Sequence, residues 1–154
     1  MQIYGAMDRR TRSISSPSGC ACLRLRKAAR RVSQIYDRAL EPCGLTVTQY
    51  GLLGHIGVLD GVGVGALAGK LVMDPTTLTR NLKPLLQQGY IVLAPDRRDR
   101  RARRLYLTAA GRRAFQRAKP AWAGAQLQLE AALGARDTPT LNAVLDRVLE
   151  RLAD

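Results

Sequence analysis

The 154-residue sequence predicts a mainly α chain of the α+β kind, with two short helices and a β-hairpin held between longer amphipathic helices. Three observations carry that expectation. Apolar residues recur at steps of three and four in both flanking segments, which is the helix period. The segment "DPTTLTRNLKPLLQQG" has a readable helix start and stop, and two short strand-like runs, "YIVLAP" and "RRLYLT", bracket an arginine-rich loop.

The first helix is expected from Ala21 to about Glu41, with Cys22, Leu25, Ala29, Val32, Tyr36 and Ala39 on one stripe and "EPCG" as its stop. A shorter helix follows from about Thr48 to Leu59, with Leu52, Leu53 and Ile56 inward. Glycine-rich "DGVGVG" then breaks the chain as a turn with at most a strand of two or three residues. It is no phosphate loop, because no lysine followed by serine or threonine stands at the required place.

"ALAGKLVM" reads as a two-turn helix. In the next helix Asp74 caps free amides, Pro75 sits at the first helical position where its missing donor costs nothing, and Gly89 stops the run. Leu78, Leu82 and Leu85 form its inner stripe, and Thr76, Arg80, Lys83 and Gln87 its outer one. Pro84 is expected to remove a hydrogen bond and bend the axis. In the hairpin Leu105 and Leu107 face inward and Tyr106 outward. Thr108 caps a long helix to about Leu133 with a stripe of Phe115, Ala118, Trp122, Ala125, Leu129 and Leu133, and Pro120 is expected to bend it. A last helix, about Thr138 to Leu152, repeats the pattern with Leu141, Leu145, Val148 and Leu152.

Two short helices joined by a tight turn, then a hairpin with a basic loop, make a winged helix-turn-helix. The expected division is a flexible arm over residues 1–20 and a single domain over 21–154, with the winged module at 45–108 and dimerisation helices at 21–43 and 109–153. Those outer helices hold more leucine, valine and aromatic surface than one small domain can cover, so a second copy is expected to cover it as a homodimer.

Lysine plus arginine total 25 against 12 acidic residues, a formal net charge of +13, and the excess lies before residue 119. That pattern points to a polyanion, nucleic acid before a membrane surface. No apolar run is long enough to span a bilayer, and "MQIYGAMDRRTRSISSPSG" lacks the apolar segment of an export signal, so a cytoplasmic protein is expected. Cys20, Cys22 and Cys43 then read as reduced thiols, and a single histidine, His55, assembles no metal site; neither metal nor cofactor is expected. No carboxylate pair or nucleophile triad is visible, so the chain is not expected to be an enzyme.

"LAGKLVMDPTTLTRNLKPLLQQGYI" followed by "DRRDRRARRLYLTAAGR" resembles, in order and spacing, the helix-turn-helix, wing and "LT..G" sequence of the multiple-antibiotic-resistance regulator (MarR) family. The resemblance covers about residues 22–150. It implies a homodimeric transcriptional regulator that binds double-stranded operator DNA, often a repressor released by a small phenolic or lipophilic effector or by oxidation.

In that setting the helix from Thr76 to Gln88 fits a major groove, with Arg80 reaching guanine or phosphate, Thr76, Thr77 and Thr79 meeting phosphate or a thymine methyl, and Lys83 and Gln87 on the same side. Arg97, Arg98, Arg100 and Arg101 are the expected minor-groove arginines, and the family's "DRR" places Asp99 as the brace and Arg101 as the leading contact. The plainer reading of each arginine is a solvated charge. Tyr36, His55 and Trp122 are the residues with a chance of lining an effector pocket, against ordinary packing. "CLRLRKAARRVSQIY" also resembles the first helix of the family's organic-hydroperoxide repressors, with Cys22 at the sensor position and Tyr36 at its bonding tyrosine. Arg26 and Val47 depart from that subfamily, no resolving cysteine follows Cys43, and a small thiol filling a helix face is the competing reading. A nonspecific nucleoid-associated protein is the remaining alternative.

Overall fold

Helix α1, Ala21–Leu40, begins without a side-chain cap and stays exposed over its first half, with only Tyr36 and Leu40 buried. The computed structural model describes residues 19–153, so the expected N-terminal arm lies outside the described residues except for Gly19 and Cys20. A single 3-10 turn, Glu41–Cys43, ends α1, and Gly44 turns the chain at φ 70°, a left-handed conformation that glycine adopts without a Cβ clash. Helix α2, Val47–Leu59, starts one residue before its expected position. Thr46 accepts from the Gln49 amide (3.2 Å) and Gln49 accepts from the Thr46 amide (3.0 Å), a reciprocal cap.

Helix α3, Val64–Lys70, and helix α4, Pro75–Gln87, form the helix-turn-helix. Asp74 caps α4 by accepting from the Thr77 amide (2.9 Å), as its sequence position implies. The helix continues through Pro84, whose missing N–H leaves the Arg80 carbonyl without its intrahelical donor. Strands β1, Ile91–Pro95, and β2, Arg103–Leu107, pair antiparallel from Ile91 opposite Leu107 to Pro95 opposite Arg103. The "DGVGVG" segment contributes one bridge, Val62 to Leu105, so the hairpin is tied to the loop that enters α3.

Helix α5, Ala109–Leu133, starts on Thr108, whose hydroxyl accepts from the Gly111 amide (3.0 Å). Helix α6, Asp137–Arg151, completes the chain. The core lies between α2, α4, the hairpin and the first half of α5, where Leu40, Leu53, Ile56, Leu67, Leu78, Leu85 and Leu105 are shut off from solvent. Burial of such side chains supplies about 1.5–3 kcal/mol each.

The two C-terminal stripes differ from their expected burial. In α5 the buried residues are Gly111, Ala114, Ala118 and Ala125, while Phe115 and Trp122 are half-buried and Leu133 is exposed. In α6 Leu141 is exposed and Leu145 and Val148 only half-buried, and Leu152, just past its end, is exposed. The physical reason is that a helical stripe needs an opposing surface. One chain offers little of it beyond the middle of α5.

Candidate nucleic-acid interface

Three buried leucines set the rotation of α4. With Leu78, Leu82 and Leu85 inward, Thr76, Thr79, Arg80, Lys83 and Gln87 are all exposed on the outer side. Thr77 is half-buried, and its backbone carbonyl accepts from the Asn81 amide side chain (2.9 Å). Thr79 donates its hydroxyl proton to the Pro75 carbonyl (2.8 Å), which leaves its oxygen free only to accept. Arg80 and Lys83 make no side-chain hydrogen bond to the rest of the described chain, which leaves two cations on a helix face narrow enough for a major groove.

The six arginines of the wing do not behave alike. Arg97 lies over the Tyr106 ring, 5.8 Å from its centroid, an attractive cation–π placement. Arg103 donates to the Leu93 carbonyl (2.8 Å) across the hairpin. Arg104 pairs with Asp96 and also donates to the Gly61 carbonyl (3.3 Å). Arg98, Arg100 and Arg101 are exposed, and their side chains bond to nothing among the described residues. Three arginines are thus held by the fold and three project from the wing tip.

The expected pairing of Asp99 with an arginine side chain is not formed. Asp99 instead accepts the backbone N–H of Arg101 (3.0 Å), and its carbonyl accepts from Ala102 (3.0 Å), which closes the wing tip as an Asx-type turn. The ion pair falls on Asp96 because this residue follows directly on Pro95, which pairs with Arg103. That register brings its carboxylate to Arg104. The amide of Arg98, bonded at 2.9 Å, and then the Arg104 guanidinium hold the Asp96 carboxyl below the ordinary aspartate value.

A second feature lies behind this surface. A pocket of about 730 Å³ opens between α2, the end of α3, β2 and α5. Tyr50, itself buried, stacks on Phe115 (centroids 4.6 Å apart) and on Trp122 (5.8 Å), and this aromatic stack lines one side. Lys70 and Arg112 supply cations at the lining. Of the residues expected at such a pocket, His55 and Trp122 line it and Tyr36 does not. His55 donates from Nδ1 to the Gly51 carbonyl (2.8 Å), leaving Nε2 of the neutral ring as an acceptor. Tyr36 is buried elsewhere, its hydroxyl donating to Gln126 of α5, and burial followed by the Glu130 charge raises its pKa. Lys70, Arg112 and Tyr50 were not distinguishable in sequence, since they come from three helices and only the fold brings them together.

Cys22 is exposed on the first turn of α1. Fourteen residues of helix separate it from Tyr36, about 21 Å at 1.5 Å per residue, so the two cannot bond within one chain.

Comparison with known proteins agrees with this architecture. A model of the MarR family matches residues 44–102, the helix-turn-helix and most of the wing. The crystal structure of the Mycobacterium tuberculosis transcriptional regulator MosR is 36% identical, with a TM-score of 0.71 over 86% of this chain and 96% of that one. A mutant of Escherichia coli MarR complexed with operator DNA shares the fold at a TM-score of 0.73, with 23% identity over 81% of this chain and 90% of that one. The transcriptional activatory protein BadR of Rhodopseudomonas palustris is 33% identical over 96 residues, 60% of this chain and 55% of its own. The chain spans between 47% and 62% of the length of the curated relatives it matches.

Proposed function

The chain belongs to the MarR family, and from that premise we propose that it is a sequence-specific double-stranded-DNA-binding transcriptional regulator, working as a homodimer in the cytoplasm and answering to a small effector. The observation that carries the DNA reading is the division of α4 into an inner leucine face and an outer face of Thr76, Thr79, Arg80, Lys83 and Gln87, beside a wing tip of three exposed arginines whose side chains bond to nothing among the described residues. In this reading α4 enters a major groove, and Arg98, Arg100 and Arg101 reach the adjacent minor groove or its phosphates. Thr77, half-buried, contributes its backbone amide to the Asp74 cap.

The homodimer rests on the unpartnered faces. Leu23 and Leu25 of α1, Leu127 of α5 and Leu141, Val144 and Leu149 of α6 stand exposed, all on elements outside the winged module. A second copy is the cover proposed for them, since the same surface on two copies is self-complementary about a two-fold axis. Two-fold symmetry then places two copies of α4 for successive major grooves, about 34 Å apart.

The pocket supports an amphipathic aromatic effector carrying an acidic group: the partly exposed Phe115 and Trp122 would pack against its apolar part, and Arg112 or Lys70 would meet its charge. Because α5 and β2 both line the pocket, an occupant that spreads them changes the separation of the two reading helices. Such a regulator acts most simply as a repressor that the effector releases.

Genome-wide recovery of bound fragments, followed by competition of the best fragment against random duplex at stated salt, tests the reading. A preference of about 10³ or more is expected. Equal affinity for every fragment would overturn sequence-specific regulation in favour of nucleoid packaging.

A further inference from the structure

Arg104 and Tyr106 stand two residues apart on β2 and therefore share one face of the hairpin, opposite the buried Leu105. The loop that leads from α2 into α3 lies directly on that face. At Gly61 the backbone φ is +103°, and a Cβ there would sit 2.9 Å from the Tyr106 ring, so the loop is seated on the ring with no room for a side chain. Arg104 reaches from the hairpin to the Gly61 carbonyl (3.3 Å), and one residue further on Val62 exchanges both backbone bonds with Leu105 (3.2 and 2.8 Å). Two residues beyond Gly61, Gly63 is the N-cap of α3.

The other end of the same side chain holds the wing. Asp96 accepts from Arg104 and from the Arg98 amide (2.9 Å), and the Asp96 amide donates to the Ala102 carbonyl (2.9 Å), closing the loop. The Asp96 side chain is 13% exposed and that of Arg104 39%, so the pair is shielded on the carboxylate side only. Arg97 on the Tyr106 ring adds a second hold on the wing from the face that carries Gly61.

The geometry points to Arg104 and Asp96 as positioning residues for DNA reading: they form a strut between the wing and the loop entering the helix-turn-helix, so the angle at which Arg98, Arg100 and Arg101 meet DNA is set by a side chain that does not touch it. This rests on the DNA-binding reading above. It assigns the wing's six arginines to two jobs, with Arg97, Arg103 and Arg104 holding the device and Arg98, Arg100 and Arg101 presented by it.

The Asp96→Asn variant tests the strut, because charge and position predict opposite signs. Asparagine keeps the oxygen that accepts from Arg98 and removes only the negative charge. On charge alone, losing a carboxylate beside a polyanion tightens binding. A strut predicts weaker operator binding, about tenfold, for Asp96→Asn and for Arg104→Gln, with the double variant no weaker than either single one. Arg104→Gln also keeps the parent's dependence of binding on salt, whereas Arg98→Ala lowers the slope by about one per protomer. Tighter or unchanged binding by Asp96→Asn, or a reduced slope for Arg104→Gln, would overturn the proposal.

Hydrogen exchange supplies the readout without DNA. The Val62 and Asp96 amides, bonded to Leu105 and Ala102, lose protection in both variants if the strut holds the wing, and unchanged protection sinks it. If the parent shows no operator preference, the regulatory reading fails, and exchange alone decides whether the strut exists.

Discussion

Thr108 fastens to the turn before β1 through both its donors: its hydroxyl donates to the Gly89 carbonyl at 2.6 Å, and its amide donates to the Tyr90 carbonyl at 3.0 Å. That carbonyl occupies the space a side chain at Gly111 would need, since a Cβ there would lie 2.0 Å from the oxygen. The threonine and glycine of "LTAAG" thus work together, one fastening the end of β2 to the turn after α4, the other letting α5 lie against it. Gly111→Ala is expected to destabilise the fold by about 3 kcal/mol or more, measured by urea unfolding. Gly69→Ala, where a Cβ meets nothing within 4 Å, is the comparison and should stabilise by up to about 1 kcal/mol. Equal effects at the two sites would mean that Gly111 is not a packing requirement.

Val72 occupies the turn between α3 and α4 at φ 51°, a left-handed conformation that a β-branched residue rarely adopts. Its side chain is 79% exposed and contributes little burial in return. Val72→Gly should therefore raise stability by about 1 kcal/mol, the relief of strain exceeding the added entropy of glycine. A lower unfolding midpoint in this variant would show that the valine side chain supports the turn.

Arg80 and Arg101 should fail in different ways. Arg80→Ala is expected to lose about 1–3 kcal/mol of discrimination at one base pair, seen by comparing operator variants in a binding titration. Arg101→Ala should weaken binding most at sites flanked by A·T tracts. Parent-like affinity of both variants for the best operator would contradict the docking of α4 and the wing.

Trp122 is the single tryptophan of the sequence and lines the pocket, so its fluorescence reports occupancy. Benzoate should quench it saturably, and Arg112→Ala should weaken benzoate roughly tenfold while leaving benzamide unchanged, because only the acid makes a charge-assisted bond. Equal weakening of both probes would place Arg112 in packing rather than charge recognition.

Asp74 and Asp96 give the acid limb of stability its sign. Hydrogen bonds from Thr77 hold the Asp74 carboxyl below the ordinary aspartate value, and the Arg98 amide followed by Arg104 does the same for Asp96. A folded-state pKa that is depressed contributes stability present above the unfolded value and lost as pH falls through the folded one. The melting temperature should fall as pH drops from about 5 to about 2, and less steeply in an Asp74→Asn, Asp96→Asn double variant. Parallel curves would show that neither carboxylate contributes.

Local chemistry was legible wherever it depends on near neighbours in the chain. Asp74 before Pro75, the leucines at steps of three and four in α4, and the alternation of Leu105, Tyr106 and Leu107 each determined an element and the face it buries, because helix caps and periods need only residues a turn apart. The net charge and the wing's arginines likewise pointed to a polyanion before any fold was known. Tertiary structure decided which arginines are held and which project, since Arg104 meets Asp96 and the Gly61 carbonyl only once the hairpin register and the "DGVGVG" loop are set. It also moved Tyr36 away from the pocket and brought Tyr50, Lys70 and Arg112 to it, from three separate helices. Contacts across 43 residues of chain, like that from Gly61 to Arg104, leave no periodic trace in sequence, because packing and not local propensity selects them.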